Sequence, residues 1–180
     1  MNILILILNL SLFMQDGANH TIYNFKTSKT TQGWTVVDDG VMGGLSKGDI
    51  KIGKSGNAIY SGNVSTDNNG GFSSLRHQFS MRDVSGYTSV SLRIKGDGKS
   101  YQFRIKSKKG QYYSYVSTFN SSGDWETVII PFKDFEPQFR GRSLDIANYD
   151  GQTMEEVAFL IGNKVKESFE LEIESIVLTK

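Results

Sequence analysis

The sequence predicts an all-β fold: one antiparallel β-sandwich, a single domain with at most short helical turns. Composition is the first reason, because 19 Gly and 12% aromatics against 2 Pro suit short strands joined by tight turns. Spacing is the second. From Tyr23 onward, β-rich runs alternate with Gly, Asn, Asp and Ser clusters at the intervals of about 8–12 residues that sandwiches show. The third is alternation of period two: Val90, Leu92 and Ile94 alternate with Ser89, Ser91, Arg93 and Lys95, and Phe103 and Ile105 with Gln102, Arg104 and Lys106. Each such strand has one buried and one wet face.

In chain order, strands are expected over residues 34–37, 49–52, 58–64, 72–79, 89–95, 101–106, 112–118, 126–130, 157–161 and 169–178. Gly96-Asp97-Gly98 reads as a tight reversal between two adjacent strands and Lys108-Lys109-Gly110 as the next, which together make a meander. Residues 133–135 and 149–156 are the helix-like stretches, each beside loop signals. A chain of 180 residues buries roughly 70% of its unfolded surface around one core, and no internal repeat divides it. The domain is expected over residues 23–180.

Residues 1–22 stand apart because of an apolar run, ILILILNLSLFM, over residues 3–14. It is too short for a membrane-crossing helix, which needs about 20 residues. Its length fits the h-region of a secretory signal, although no Lys or Arg precedes it and no small-x-small site precedes Gln15. A mis-called start and a buried first strand are the other readings. Export, periplasmic or secreted, is favoured over a cytoplasmic location.

Lys and Arg total 20 and Asp and Glu 19, so the net charge of +1 supplies no global field to gather nucleic acid or an anionic membrane. Membrane association is expected only through a partner or an uncleaved N-terminal segment. The absence of Cys removes disulfides, thiolate nucleophiles and iron–sulfur ligation, and two His are too few for a His-rich metal site.

Gly44-Leu45-Ser46-Lys47-Gly48 spells G-x-S-x-G, but a nucleophile elbow needs a strand, a sharp turn and a helix, and Asp49-Ile50-Lys51-Ile52 continues as an alternating strand. Gly98-Lys99-Ser100 lacks the Gly that a phosphate loop places five residues earlier, where Arg93 stands. Arg104, Lys106, Lys108 and Lys109 interleave with Tyr101, Phe103, Tyr112, Tyr113 and Tyr115. These cations read as outward side chains protecting a half-exposed hairpin rather than as a nucleic-acid groove. His77 sits mid-strand without a second ligand at metal spacing, and Glu155-Glu156 reads as a solvated turn. No catalytic, cofactor-binding or metal-binding residue is therefore expected.

The segment from Trp34 through Asp39, Gly40, Val41, Met42, Gly43, Gly44 and Ser46 to Gly48 is not ordinary strand punctuation. Its glycine pair permits positive φ or close backbone approach, and Asp39 can accept from turn amides. The run resembles the signature of the complex I intermediate-associated protein 30 (CIA30) family, in which a Trp precedes an Asp, then V-M-G-G and a Ser. Gly71-Phe72-Ser73-Ser74-Leu75-Arg76 is similar to the family's G-F-x-S-x-R strand, and Arg93-Ile94-Lys95-Gly96-Asp97-Gly98 to its R-x-x-G-D-G turn. Trp125, Ile130-Pro131-Phe132-Lys133-Asp134-Phe135 and Phe139-Arg140-Gly141 continue the match, which spans residues 25–178.

The resemblance implies a galactose-binding-like jelly roll with a non-catalytic binding or assembly role toward a protein partner, and mitochondrial members act in respiratory complex I assembly. It marks Trp34, Asp39, Val41, Met42, Gly43, Gly44, Ser46, Phe72, Arg76 and Arg140 as structural or partner-binding residues. Trp34, Met42, Phe72 and Trp125 are expected in the core. Asp39, Gly43 and Gly44 are expected to fix a loop, with an Asp39–Arg76 charge pair as a second way of ordering it. A carbohydrate-binding module is the alternative. Tyr112, Tyr113 and Tyr115 together, or Trp125, on a concave face beside carboxylates would favour sugar, and their burial would favour a protein partner.

Overall fold

The computed structural model describes residues 21–180, apart from the side chains of Val41 and Met42. Its elements are β1 (Thr21–Asn24), α1 (Phe25–Ser28), β2 (Trp34–Asp38), β3 (Lys47–Ile52), β4 (Ala58–Val64), β5 (Ser73–Asp83) and β6 (Ser89–Lys95). There follow β7 (Ser100–Lys106), β8 (Ser114–Asn120), β9 (Trp125–Pro131), β10 (Glu136–Phe139), β11 (Arg142–Ser143), β12 (Thr153–Ile161) and β13 (Glu167–Thr179). Short 3-10 turns lie at Asp39–Met42, Asp67–Asn69 and Phe132–Asp134.

The strands form two antiparallel sheets. One has six strands in the order β3-β4-β13-β6-β9, with β1 also on β13, and the other has seven in the order β11-β10-β8-β7-β12-β5-β2. Alternating apolar residues from both sheets meet between them: Val90, Leu92 and Ile94 from β6 face Tyr101, Phe103 and Ile105 from β7, and all are buried. Burial of such side chains contributes about 1.5–3 kcal/mol each, and this layer holds the two sheets together.

Two β-bulges change which residues face inward. On β13 the pairing shifts between Ile173 and Ser175, so Leu171 and Ile173 point to the core from odd positions and Ile176 and Leu178 from even ones. On β12 the shift falls between Met154 and Glu156. Met154 is in the core, as are Val157, Phe159 and Ile161 beyond the shift, and Glu156, Ala158 and Leu160 turn to the opposite face. One extra residue thus moves a carboxylate from the core face to the outer face.

Several expectations need correction. The first strand starts two residues before the expected boundary at residue 23, since Thr21 and Ile22 belong to β1 and Ile22 is buried; the apolar run over residues 3–14, with the signal, start and first-strand readings, lies outside the described residues. Residues 149–156 form no helix, and Glu155 and Glu156 are part of β12. Gly96-Asp97-Gly98 is no hairpin, because β6 pairs with β13 and β9 while β7 pairs with β12 and β8. The segment carries the chain from one sheet to the other. Asp97 pins that corner by accepting from the Glu170 amide at 3.0 Å, the Tyr101 hydroxyl at 3.0 Å and Lys99 Nζ at 2.8 Å. The β7–β8 hairpin does form, but β7 is a central strand, so its cations protect no edge.

Candidate functional site

Two adjacent carboxylates tie the end of β2 to its surroundings. Asp38 Oδ1 accepts from Ser73 Oγ at 2.5 Å and Oδ2 from the Gly48 amide at 3.0 Å, while the Tyr60 hydroxyl donates to Ser73 Oγ at 2.8 Å. Asp39, only 2% exposed, is more completely enclosed. Its Oδ1 accepts from the Ser46 amide at 3.1 Å; its Oδ2 accepts from Ser46 Oγ at 2.5 Å and from the amides of Gly71 and Phe72 at 2.6 and 3.2 Å. Burial pushes the Asp39 carboxyl up, but these donors outweigh it and hold the group below the usual carboxylate range.

The glycines around Asp39 are there for space. A Cβ on Gly44 would overlap the Asp39 carboxylate, and one on Gly70 would stand 2.6 Å from Oδ2. Gly43, at φ +83°, ends the 3-10 turn in the left-handed region, its amide donating to Asp39 and Gly40 carbonyls. Ser46 Oγ is fixed twice, donating to Asp39 and accepting from the Ser65 amide at 3.0 Å. It therefore sits inside a clasp, not on an exposed elbow. His77, on β5, lies elsewhere: its Nδ1 is 2.8 Å from the Gly33 carbonyl and its ring stacks on Trp34 at 4.8 Å.

The outer face of the seven-stranded sheet carries a cleft of about 460 Å3. Pairing registers order its floor in rows across β5, β12 and β7: Ser74, Leu160 and Gln102; Arg76, Ala158 and Arg104; then Glu156 and Lys106, with Gln78 next to Glu156 at the edge of the cleft lining. Glu156, 6% exposed, accepts from Gln78 Nε2 at 2.6 Å and pairs with Lys106 Nζ at 3.7 Å. Arg104 donates through Nε and Nη2 to Gln102 Oε1 at 3.0 and 2.6 Å. Burial first, and then the neighbouring Arg76 cation, push its guanidinium down to about 10, so it stays charged at neutral pH.

Tyr112 and Phe139 stand on the rim with their rings 5.3 Å apart and near perpendicular. Arg140 covers Phe139 at 5.3 Å in the β10–β11 turn, with φ of 50°. Gly71 and Phe72 line the opposite part of the cleft. The clasp and the cleft therefore share the Gly71-Phe72 backbone.

The residues singled out from sequence separate into three places. Asp39, Gly43, Gly44 and Ser46 make the clasp; Phe72, Arg76 and Arg140 line the cleft; Trp34 is buried on β2 against Phe25, Tyr23 and His77. The expectations for the Val41 and Met42 side chains lie outside the described residues. No Asp39–Arg76 pair forms, since Arg76 Nε donates to Ser74 Oγ at 3.3 Å and Asp39 is saturated by amides. Phe72 and Trp125 are half-buried rather than core. Trp125 sits on the outer face of the other sheet under Arg93 at 5.5 Å.

Gln78, Gln102, Glu156 and Lys164 were not picked out as site residues. Gln102, Arg104 and Lys106 were legible as one wet strand face, which was the available signal. Among the described residues, no group of three or more His, Asp or Glu is arranged to hold a metal ion.

The chain matches the model of the Complex I intermediate-associated protein 30 family (CIA30) over residues 23–173 and belongs to that family. Among solved structures it is similar to the family 11 carbohydrate-binding module from Clostridium thermocellum in complex with a β-1,3-1,4-mixed-linked tetrasaccharide, at 20% identity and a TM-score of 0.63, covering 89% of this chain and 94% of that one. The family 11 module of a cellulosomal cellulase of Clostridium thermocellum gives 18% identity and a TM-score of 0.63, covering 88% and 94%. An exo-β-agarase gives 9% identity and a TM-score of 0.51 over 90% of this chain and 26% of its own. At such identities the likeness is one of fold, a jelly-roll β-sandwich.

Proposed function

We propose that this member of the CIA30 family is a non-catalytic glycan-binding domain whose ligand lies in the cleft on the outer face of the seven-stranded sheet. The observation that carries this reading is the cleft itself, with Tyr112 66% exposed at its rim and polar rows of Arg, Gln and Glu on its floor. Of the aromatics named for this purpose, only Tyr112 lines the cleft, whose lining also includes Glu156; Tyr113 is half-buried against the core. Tyr115 is buried, and Trp125 lies on the other sheet. A tyrosine face stacks on the apolar face of a pyranose, and side-chain polar groups fix its hydroxyls. The fold likeness to a carbohydrate-binding module with a bound tetrasaccharide supports the same reading.

Affinity electrophoresis against a panel of neutral and acidic polysaccharides tests it. Retardation on at least one glycan, lost in Tyr112→Ala with an unchanged melt, is the expected result; no retardation on any glycan overturns it.

The second reading is recognition of a protein partner, a respiratory-complex intermediate if the family description applies to this chain. It is favoured by Ile129, 61% exposed on the outward face of β9 that also carries Trp125. Partner capture lost in Ile129→Lys and kept in Tyr112→Ala would favour it.

A further inference from the structure

We infer that the cleft selects acidic oligosaccharides, sugar chains bearing carboxylate or sulfate groups, and that Arg76 and Arg104 receive the anionic group across Ala158. This rests on the glycan-binding reading above and names the ligand class of the same site.

Charge is the first reason. The lining carries Arg76, Arg104, Lys106, Arg140 and Lys164 against one carboxylate, Glu156, on a chain whose net charge is only +1. Positive charge is thus concentrated in this cleft. Glu156 is already engaged by Lys106 and Gln78. The ion pairs among the described residues are Lys26–Glu174, Lys99–Asp97, Lys106–Glu156 and Lys166–Asp67, and none reaches Arg76, Arg104 or Arg140. Two half-buried guanidinium groups side by side without a counter-charge repel one another and are incompletely solvated. An anion between them relieves both costs.

Hydrogen-bonding capacity is the second. A neutral sugar hydroxyl donates and accepts, and a site for it needs acceptors as well as donors. Here Gln102 Oε1 already accepts twice from Arg104, and the one lining carboxylate, Glu156, faces Gln78 and Lys106, whereas the two arginines offer only donors. A surplus of donors fits carboxylate or sulfate oxygens, which accept without donating, and guanidinium can bind them in pairs.

Shape is the third. Arg76 and Arg104 are each paired with Ala158 across neighbouring strands, so a methyl group floors the gap between them. Tyr112, 66% exposed on the rim, offers a ring to a sugar, which a free small anion would not use. Arg140 and Lys164, both held in left-handed backbone conformation, add cations along the edge.

Isothermal titration with three size-matched probes, an oligogalacturonate, a sulfated galactan oligosaccharide and a neutral β-1,3-1,4-glucan tetrasaccharide, separates the outcomes. Poly-glutamate and single-stranded DNA serve as acidic probes that are not glycans. At least one acidic glycan is expected to bind about tenfold or more tightly than the neutral one, with affinity falling as salt rises. The stronger of the two identifies carboxylate or sulfate as the preferred group. Arg76→Gln and Arg104→Gln should each weaken acidic-glycan binding by about tenfold or more, the scale of a lost charge-assisted hydrogen bond. Arg140→Asn, at an exposed turn where Asn tolerates positive φ, should weaken it less and keep the fold if either buried-face variant fails to melt cooperatively. Equal or tighter binding of the neutral glycan, unaffected by these variants, overturns the acidic preference and leaves glycan binding standing. Binding of no glycan probe overturns the acidic preference and leaves the panel to decide glycan binding; binding of poly-glutamate or DNA in place of any glycan overturns both.

Discussion

The Phe72 amide donates to Asp39 Oδ2 at 3.2 Å while Phe72 itself lines the cleft, so a buried carboxylate at the end of β2 sets the position of one cleft wall. The neighbouring Gly71 amide binds the same oxygen at 2.6 Å. Disturbing Asp39 therefore acts first on folding and then on the cleft edge.

Asp39→Asn would replace an acceptor with an amide whose NH2 faces backbone donors. The expected loss is about 1–3 kcal/mol, from the unsatisfied buried groups. Gly44→Val should cost at least as much, because its Cβ overlaps the Asp39 carboxylate. Since Asp39 is held below its ordinary value when folded, its contribution is complete above pH 3.8 and is lost as pH falls further. Acid melts of wild type and Asp39→Asn check this: the wild-type decline below about pH 4 should be shallower in the variant.

Much of the sandwich was legible because one-sided burial writes period two into Val90, Leu92 and Ile94 and into Phe103 and Ile105. The bulges were not, since each inserts one residue and shifts the inward parity without a local sequence signal, as at Glu156 and Ser175. Sheet membership was hidden as well: a glycine turn after β6 looks the same whether the next strand pairs with it or crosses the core. For the site, Arg76 and Arg140 were identified through the family motif, but their company was not. Arg104 reads as an ordinary outward residue until β12 brings Ala158 between it and Arg76.

The two tryptophans should behave differently. Trp34 is buried among Tyr23, Phe25 and His77, so Trp34→Ala should cost about 3–5 kcal/mol. Trp125 is half-buried on an outer face, where its loss forfeits the Arg93 contact and part of its burial, about 1 kcal/mol. Denaturant midpoints measure both, and equal losses would contradict the placement of Trp125.

His77 introduces a pH dependence at milder acidity. Burial against Trp34 lowers its pKa, the Gly33 carbonyl partly opposes this, and the nearby Arg82 cation lowers it further. A base whose folded pKa is depressed takes up its proton more readily when unfolded. Its contribution is therefore complete above about pH 6.5 and declines as pH falls below that value. The melting temperature should drop between pH 7 and pH 5 in wild type. In His77→Phe, which retains a ring against Trp34, that part of the drop should vanish.

Glu156 gives the opposite sign to the arginines. Glu156→Gln keeps a side chain able to accept from Gln78 but removes the charge that Lys106 neutralises at 3.7 Å. The pair is mostly buried on the Glu156 side and long, so the stability loss should be modest, about 1 kcal/mol or less, with the bulge itself intact. Lys106 is then released into the cleft and its positive potential rises. Affinity for the acidic glycan should increase severalfold in Glu156→Gln, while Arg76→Gln decreases it, and the double variant should fall between them if the effects are purely electrostatic. Titration at two salt concentrations distinguishes this from a contact effect, because the gain should shrink at the higher salt. A loss of affinity in Glu156→Gln would instead mean that Glu156 accepts from the sugar itself, which would make the cleft floor a hydroxyl-binding surface rather than an anion trap.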